Sequence, residues 1–476
     1  MSIDESGDRG ATPGERGAPL VDSLEGRVAG RLIRPGDAGY DEARAVWNGL
    51  VDRYPAAIVR CTGTADVVAC VDVAREHGAP ISVRGGGHNV AGTAVCDDGI
   101  VVDCSELRGV WIDPDARRVR VQAGATLADV DRETQLFGLA VPLGVVSDTG
   151  VAGLTLGGGF GHLSRSYGLS CDALRSADVV TADGDVLTAS AEEHPDLFWA
   201  LRGGGGNFGV VTSFEFEAYP VGPEVMACFV VHPAENAPEL FRKYRAFCAD
   251  APDEVGLLAF TMWVPDDEAF PEDARGKPGV GFLGSSIGPT DEGAEAFEPV
   301  RAFDTPLVDF SGVMPFTELQ QMLDEDYPDG RRYYWKSLYL SGLTDEAIET
   351  IVAAAETAPS KLSTVDVWQL GGAISRVDDD ATAIGWRDVP HMLGIEANWD
   401  DPADDEANVE WARTLWAEMQ PYSPGGLYIN FPGFGEEGDD LVRAAYGDNY
   451  ERLADVKARY DPENLFRSNQ NVEPST

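Results

Sequence analysis

The stretch Pro80–Gly92 (PISVRGGGHNVAG) runs a short apolar strand into three glycines and then a histidine. Consecutive glycines at a strand end put main chain where no Cβ fits, so something must approach that backbone closely. Successive peptide N–H groups in such a turn form a concavity suited to anionic oxygens, phosphate above all. Arg84 enters the turn and offers a charge-assisted contact. His88 leaves it with its imidazole beside whatever the loop binds. Taken alone, the stretch is a phosphate loop carrying a histidine, or a turn whose histidine merely bonds to its own backbone.

Two further glycine clusters follow, Gly144–Gly161 (GVVSDTGVAGLTLGGGFG) and Gly203–Gly209 (GGGGNFG). Gly204, Gly206 and Gly209 satisfy GxGxxG, yet a helix-like segment (His194–Leu201) precedes them and a strand follows. That is the reverse of the dinucleotide fingerprint, so a Rossmann site is rejected there. No GK[ST] occurs, which excludes a Walker A loop. His77, His162, His194, His232 and His391 show no metal-ligand spacing. Cys61, Cys70, Cys96, Cys104, Cys171, Cys228 and Cys248 form no CxxC pair, which argues against disulfides and structural zinc. Catalytic carboxylate pairs cannot be singled out among 81 acidic residues.

The elements that position these clusters read as alternating strands and helices. Ile58–Cys61 is strand-like. Thr64 is expected to cap a helix over Ala65–His77 that Gly78 ends, and Ile81–Arg84 is the next strand. Ile100–Asp103, Val110–Ile112 and Val119–Gln122 are short β runs. Thr126 is placed to cap a helix through Phe137 with Leu127, Val130 and Phe137 facing inward. Asp183-Gly184 joins two β runs as a hairpin turn, and Val210–Phe216 is a strand. After Pro220 glycine clustering gives way to amphipathic strands and helices. The expected divisions are a flexible arm over 1–25, a first domain over 26–221, a second over 222–424 and a closing segment over 425–476.

The 476 residues are 43% hydrophobic and include ten tryptophans, which places the chain among globular proteins. No apolar run reaches membrane-spanning length, and the polar N-terminus has no signal-peptide core, so a cytoplasmic location is expected. Thirty-six basic against 81 acidic residues leave a net charge of −45. Such a surface repels nucleic acid and anionic membranes. Lysine occurs only at Lys243, Lys277, Lys336, Lys361 and Lys457. The acidity is spread too evenly to be a tail, and it reads as adaptation to high salt, where screening relieves self-repulsion.

Four separated motifs then carry a resemblance: SVRGGGHNVAG, GVVSDTGVAGLTLGGGFGHLSRSYGL, DLFWALRGGGGNFGVVTSFEF and YDPENLFRSNQNV. In this order they resemble the berberine-bridge-enzyme-like FAD-linked oxidases of the vanillyl-alcohol-oxidase, or PCMH-type, superfamily, over about residues 26 to 474. The resemblance implies an α+β fold: a PCMH-type two-lobed FAD-binding domain, with an antiparallel-sheet substrate domain covering the isoalloxazine ring. It implies FAD bound covalently through His88, with Arg84, Gly85, Gly86, Gly87 and Asn89 around the pyrophosphate and Gly92 among the cofactor residues. Thr149, Gly150, Gly153, Gly157, Gly158, Gly161, Val211 and Asn469 complete the cofactor set. Val146 stands where bicovalent members carry a second flavin-linking cysteine, so a single link is expected, as in the 6-hydroxynicotine-oxidase-like branch.

The family's Y-x-N motif falls on Tyr428 and Asn430, which the resemblance makes catalytic. It also suggests Trp386, Arg387, His391 and either Trp368 or Gln369 as pocket residues; the last two, as strand neighbours, face opposite ways. The implied reaction removes a hydride from a C–H bearing OH or NH in a small molecule, an alcohol, sugar or amine, and passes the electrons to O2. A dehydrogenase with another acceptor and a non-catalytic flavin-binding protein are the alternatives.

Overall fold

The computed structural model describes residues 13–436 and 438–476. Strands β1 (Arg31–Ile33), β2 (Ala57–Arg60), β3 (Ile81–Arg84) and β4 (Ile100–Asp103) form one sheet in the order β1-β2-β4-β3. β4 runs parallel to both β2 and β3. Its Ile-Val-Val-Asp run is buried at every position, as expected of a parallel strand covered on both faces. The crossover between β2 and β3 is the helix Thr64–His77. Gly63, not Thr64, is its N-cap, and Gly78 ends it at φ +61°.

A second sheet holds β5 (Val110–Asp113), β6 (Arg118–Gln122), β8 (Leu174–Val180), β9 (Val186–Ser190) and β10 (Val210–Glu217) in the order β5-β6-β10-β8-β9. β7 (Leu139–Ala140) pairs with β11 (Tyr219–Pro220) as a small ribbon. The helix expected through Phe137 spans Leu127–Thr134 and begins with a Thr126–Asp129 capping box. A 3-10 turn follows, and Phe137 is exposed rather than inward, because the tighter turn rotates it off the helix's buried stripe.

The third sheet comprises β12 (Glu224–Pro233), β13 (Val255–Trp263), β14 (Pro278–Ser286), β15 (Val308–Asp309), β16 (Gly312–Pro315), β17 (Arg332–Leu340), β18 (Thr364–Gln369) and β19 (His391–Trp399). Its order is β15-β12-β14-β13-β18-β19-β17, with β16 also paired to β12. Helices Ala237–Asp250, Thr290–Arg301, Asp345–Glu356 and Asp405–Met419 bury Leu240, Phe241, Phe297, Ile348 and Leu415 in a core shared with one face of this sheet. The other face turns toward the first two sheets.

The closing segment contributes Leu427, Tyr450, Leu453, Phe466 and Val472 to the same core as β2, β4 and β10. Lys457, fully buried, fastens it: Nζ donates to Asp461 Oδ2 (2.7 Å), Asn207 O (2.8 Å) and Phe466 O (2.9 Å). Asp461 in turn accepts the backbone N–H groups of Leu465 and Phe466, so neither buried charge lacks partners.

The arm expected over 1–25 lies outside the described residues through residue 12. From Pro13 to Leu24 the chain is helical, and Leu20, Val21 and Leu24 are buried in the core of the first two sheets. These apolar residues recur at helical spacing and give that part a packed face, so it is not a free arm. Among the described residues no helix is long and apolar enough to cross a membrane.

Candidate active site

One cleft separates the third sheet from the other two, and its walls come from all three glycine clusters. β3 delivers the chain into Gly85-Gly86-Gly87, with Gly87 in the left-handed region at φ +77°. A Cβ on Gly86 would collide with the backbone of Gly150, and one on Gly150 with the backbone of Gly86. The two turns therefore touch main chain to main chain, which only glycine permits. A Cβ on Gly157 would run into the Asn430 side-chain amide. Gly206 and Asn207 of the third cluster line the far end beside Ser468, Asn469 and Gln470. Asn469 Nδ2 donates to Gly206 O at 3.1 Å.

Of the residues expected to hold the cofactor, Gly85, Gly86, Gly87, His88, Asn89, Thr149, Gly150, Gly153, Gly157, Val211 and Asn469 line this cleft. Arg84, Gly92, Gly158 and Gly161 do not. Arg84 is buried with Nη1 donating to Ala43 O (2.6 Å) and lies 3.9 Å from Asp103. The last residue of β3 points into the packing against β4, not into the turn. Gly92 makes room for Val51, Gly158 for Ile384 and Gly161 for the Leu143 carbonyl. These three glycines serve close packing.

His88 stacks on Trp47 with ring centroids 5.1 Å apart, and Trp47 stacks on Tyr333 at 3.7 Å. Burial pulls the His88 pKa below its usual value, against weaker upward pulls from Asp329, Asp148 and Asp324. The ring is therefore neutral near neutral pH, with one nitrogen lone pair free of a proton. Val146 lines the cleft nearby. The next residue, Ser147, is clamped by Asp324, which accepts from its N–H (2.7 Å) and its hydroxyl (2.6 Å). Cys171 is buried and outside the cleft lining.

Across the cleft, Tyr428 is buried and accepts a hydrogen bond from Asn430 Nδ2 at 2.8 Å. Burial pushes its phenol well above the usual range, while the Asn430 amide pulls the other way. Phe160 packs edge-on against both Tyr428 and Trp368, at 4.9 Å in each case. The third sheet presents alternate residues here: Leu258 and Phe260 from β13, Thr364, Asp366 and Trp368 from β18, Glu396 and Asn398 from β19, and Trp335 from β17. The period of two also settles the neighbouring pair. Trp368 faces the cleft, whereas Gln369 turns to the helical side and bonds Leu257 N and Cys248 O.

His391, opposite Gln369 in the ladder, shares that far face. Arg387 is held in a buried two-bond pair by Asp172 (2.8 and 2.9 Å). Trp386 packs over Gly426 and Gly447. These three therefore leave the pocket. Asp366, Glu396, Tyr327, Trp335 and Asn398 enter it without having been singled out. The visible signal for the two acids was a lone carboxylate amid apolar alternation, in TVDVWQ and in LGIEANW.

The cleft suits a long dinucleotide: one half is bare backbone, the other a mixed aromatic and polar wall. Asn469 Oδ1, Trp368 Nε1 and Thr364 Oγ1 are buried in its walls without hydrogen-bond partners, as groups awaiting a ligand would be. Residues 55–190 match the family model described as "FAD binding domain", and residues 427–473 that described as "Berberine and berberine like". Fold and site thus define an FAD-linked oxidoreductase. The chain belongs to the berberine-bridge-enzyme-like family of these enzymes.

The chain is 33% identical to the FAD-linked oxidoreductase YgaK of Bacillus subtilis (strain 168), over 94% of this chain and 98% of that one. It is 31% identical to (R)-6-hydroxynicotine oxidase of Paenarthrobacter nicotinovorans, over 94% and 97%. The crystal structure of 6-hydroxy-D-nicotine oxidase from Arthrobacter nicotinovorans superposes with a TM-score of 0.84 at 29% identity, covering 94% of this chain and 98% of that one. Physcomitrella patens BBE-like 1 shares the fold with a TM-score of 0.86 at 24% identity, over 96% and 99%.

Proposed function

We propose that this protein is an oxidase that holds FAD covalently through His88 alone and takes a hydride from a C–H bearing OH or NH in a small molecule, with O2 as the final electron acceptor. FAD supplies the hydride acceptor. The observation that carries the reading is the pairing of Tyr428 with Asn430 in a buried, aromatic end of the cleft that His88 and the glycine turns also line.

The chain's own residues divide the work. Gly85–Gly87, Gly150 and Gly206 would lie along the phosphates and adenosine, and Asn469 would add a side-chain contact. His88, neutral and stacked on Trp47, offers a ring nitrogen for the single link. Val146, with no thiol, offers none for a second. Tyr428, in its phenolate form, takes the substrate proton as the hydride leaves, and Asn430, donating to the same oxygen, steadies the negative charge it carries until then. With its pKa pushed up by burial, the phenolate is a small but strongly basic fraction, and it regains its proton from the substrate. Phe160, Trp368 and Trp335 exclude water and set the plane of the bound molecule.

The test is anaerobic titration of the purified holoenzyme with alcohols, sugars and amines while the flavin absorbance is followed. Bleaching by a donor, with stoichiometric peroxide once air is admitted, is expected. A flavin that no donor bleaches, although dithionite does, would overturn the reading. Bleaching without peroxide would point to a dehydrogenase.

A further inference from the structure

Two carboxyl side chains meet on the substrate wall of the cleft. Asp366 lies opposite Gly394, and Glu396 opposite Thr364, in the antiparallel ladder of β18 and β19. They are therefore diagonal neighbours on one face of the sheet, within reach of each other. Both are buried and both line the cleft. Tyr327 donates its hydroxyl proton to Glu396 Oε2 at 2.7 Å from the segment that follows Asp324–Asp326. Asp366 Oδ1 has no hydrogen-bond partner.

We propose that the Asp366–Glu396 pair is the charge anchor of the substrate, and that the molecule oxidised in this cleft carries a single protonated amine. The inference rests on the oxidoreductase reading above and narrows its substrate class. Two carboxyls in one dry site share a proton and so keep one negative charge between them. Burial pushes Asp366 up to about 7 and Glu396 well above the carboxylate range, with the neighbouring Asp366 adding to the latter.

No protein cation answers that charge among the described residues. Arg331 is engaged with Asp400 (3.1 Å) and the Asp326 carbonyl (2.8 Å). Lys361 sits over the Trp263 ring at 4.2 Å. His88 is neutral. The other groups facing the pair add no positive charge: Tyr327 and Tyr428 are held as phenols, and Asp326 is pushed up to about 6 by burial.

A desolvated charge left alone is costly, and an ammonium group relieves it while an alcohol cannot. Trp335 stands directly opposite Glu396 in the ladder, and Trp368 is two residues from Asp366 on the same face. Their ring faces favour a cation further.

The probes are cumylamine and 2-phenyl-2-propanol. They match in shape and carry no hydrogen on the carbon bearing N or O, so neither can be oxidised. Affinity is read by calorimetry and by perturbation of the bound flavin's spectrum, on the holoenzyme, without turnover. At pH 8 the ammonium should bind roughly 10-fold tighter than the alcohol, or better. Its advantage should fall as the pH drops through about 7, where the pair takes up its second proton, while alcohol binding stays level. The double variant Asp366→Asn/Glu396→Gln should bring the ratio to within about twofold, since it leaves no carboxyl to carry the charge. Wild-type protein that binds the two probes equally, prefers the alcohol or binds neither overturns the proposal. So does an unchanged ratio in that double variant. If that variant loses flavin or fold, the wild-type ratio and its pH profile decide. Ammonium binding with no amine ever bleaching the flavin would count against the oxidase reading and leave the anchor standing.

Discussion

Asn430 Nδ2 donates to the Tyr428 hydroxyl oxygen at 2.8 Å, two residues apart on a closing segment that is neither helix nor strand there. The same amide reaches Leu154 O at 3.2 Å, so the phenol oxygen is held against the short helix that follows Gly150. Tyr428→Phe keeps the ring between Phe160 and Phe431 and removes only the oxygen. Anaerobic flavin reduction by the best donor should slow by roughly 10²–10⁴-fold, with flavin content unchanged. Reduction at the wild-type rate would make Tyr428 a packing residue.

His88 is the sole expected anchor of the cofactor. After acid precipitation the wild-type pellet should stay yellow, and His88→Ala should release its flavin to the supernatant. Yellow retained in the pellet of that variant would refute a single link through this residue.

Asp131 on the helix Leu127–Thr134 accepts from Gln320 Nε2 at 3.0 Å, across the junction with the third sheet's surroundings, while its other oxygen is unpartnered. Burial pushes it up to about 7. The folded state thus holds a proton that the unfolded chain loses near pH 4. Its contribution is full at low pH and is lost as pH rises toward 7, at about 1.4 kcal/mol per pH unit at most. Asp131→Asn removes this slope. Its melting temperature relative to wild type should climb between about pH 4 and pH 7 and level off above that. A constant difference would show that Asp131 titrates normally.

A net charge of −45 repels itself at low ionic strength, beyond what ion pairs such as Arg332–Asp405 and Arg413–Glu436 can offset. Thermal unfolding followed from about 0.1 M to molar salt, where the screening length shrinks from about 10 Å to about 3 Å, should show a rising melting temperature. A flat or falling curve would remove the high-salt interpretation of the composition.

Local chemistry was legible where backbone conformation alone dictated it. Gly85 and Gly86 before His88, and Gly150 in its own turn, sit where a Cβ would meet main chain, whereas Tyr428-x-Asn430 was named only by the family resemblance. Gly78 and Gly184 ended a helix and closed a hairpin as their positive φ requires. The α+β architecture followed from these elements and from the family resemblance.

What the sequence could not settle depends on contacts between residues far apart in the chain. Arg84 borders the glycine turn in sequence, yet its bond to Ala43 draws it into the packing instead. Gly92 and Gly161 look like cradle glycines until Val51 and the Leu143 carbonyl are brought against them. Trp368 and Gln369 stand side by side, and only the pairing of β18 with β13 and β19 decides which one meets the cleft. The same register sets Asp366 and Glu396, thirty positions apart among 81 acids, diagonally on one face. Side-chain direction in a strand alternates at every residue. A sequence therefore lists two possible faces, and the tertiary pairing chooses the one that becomes the site.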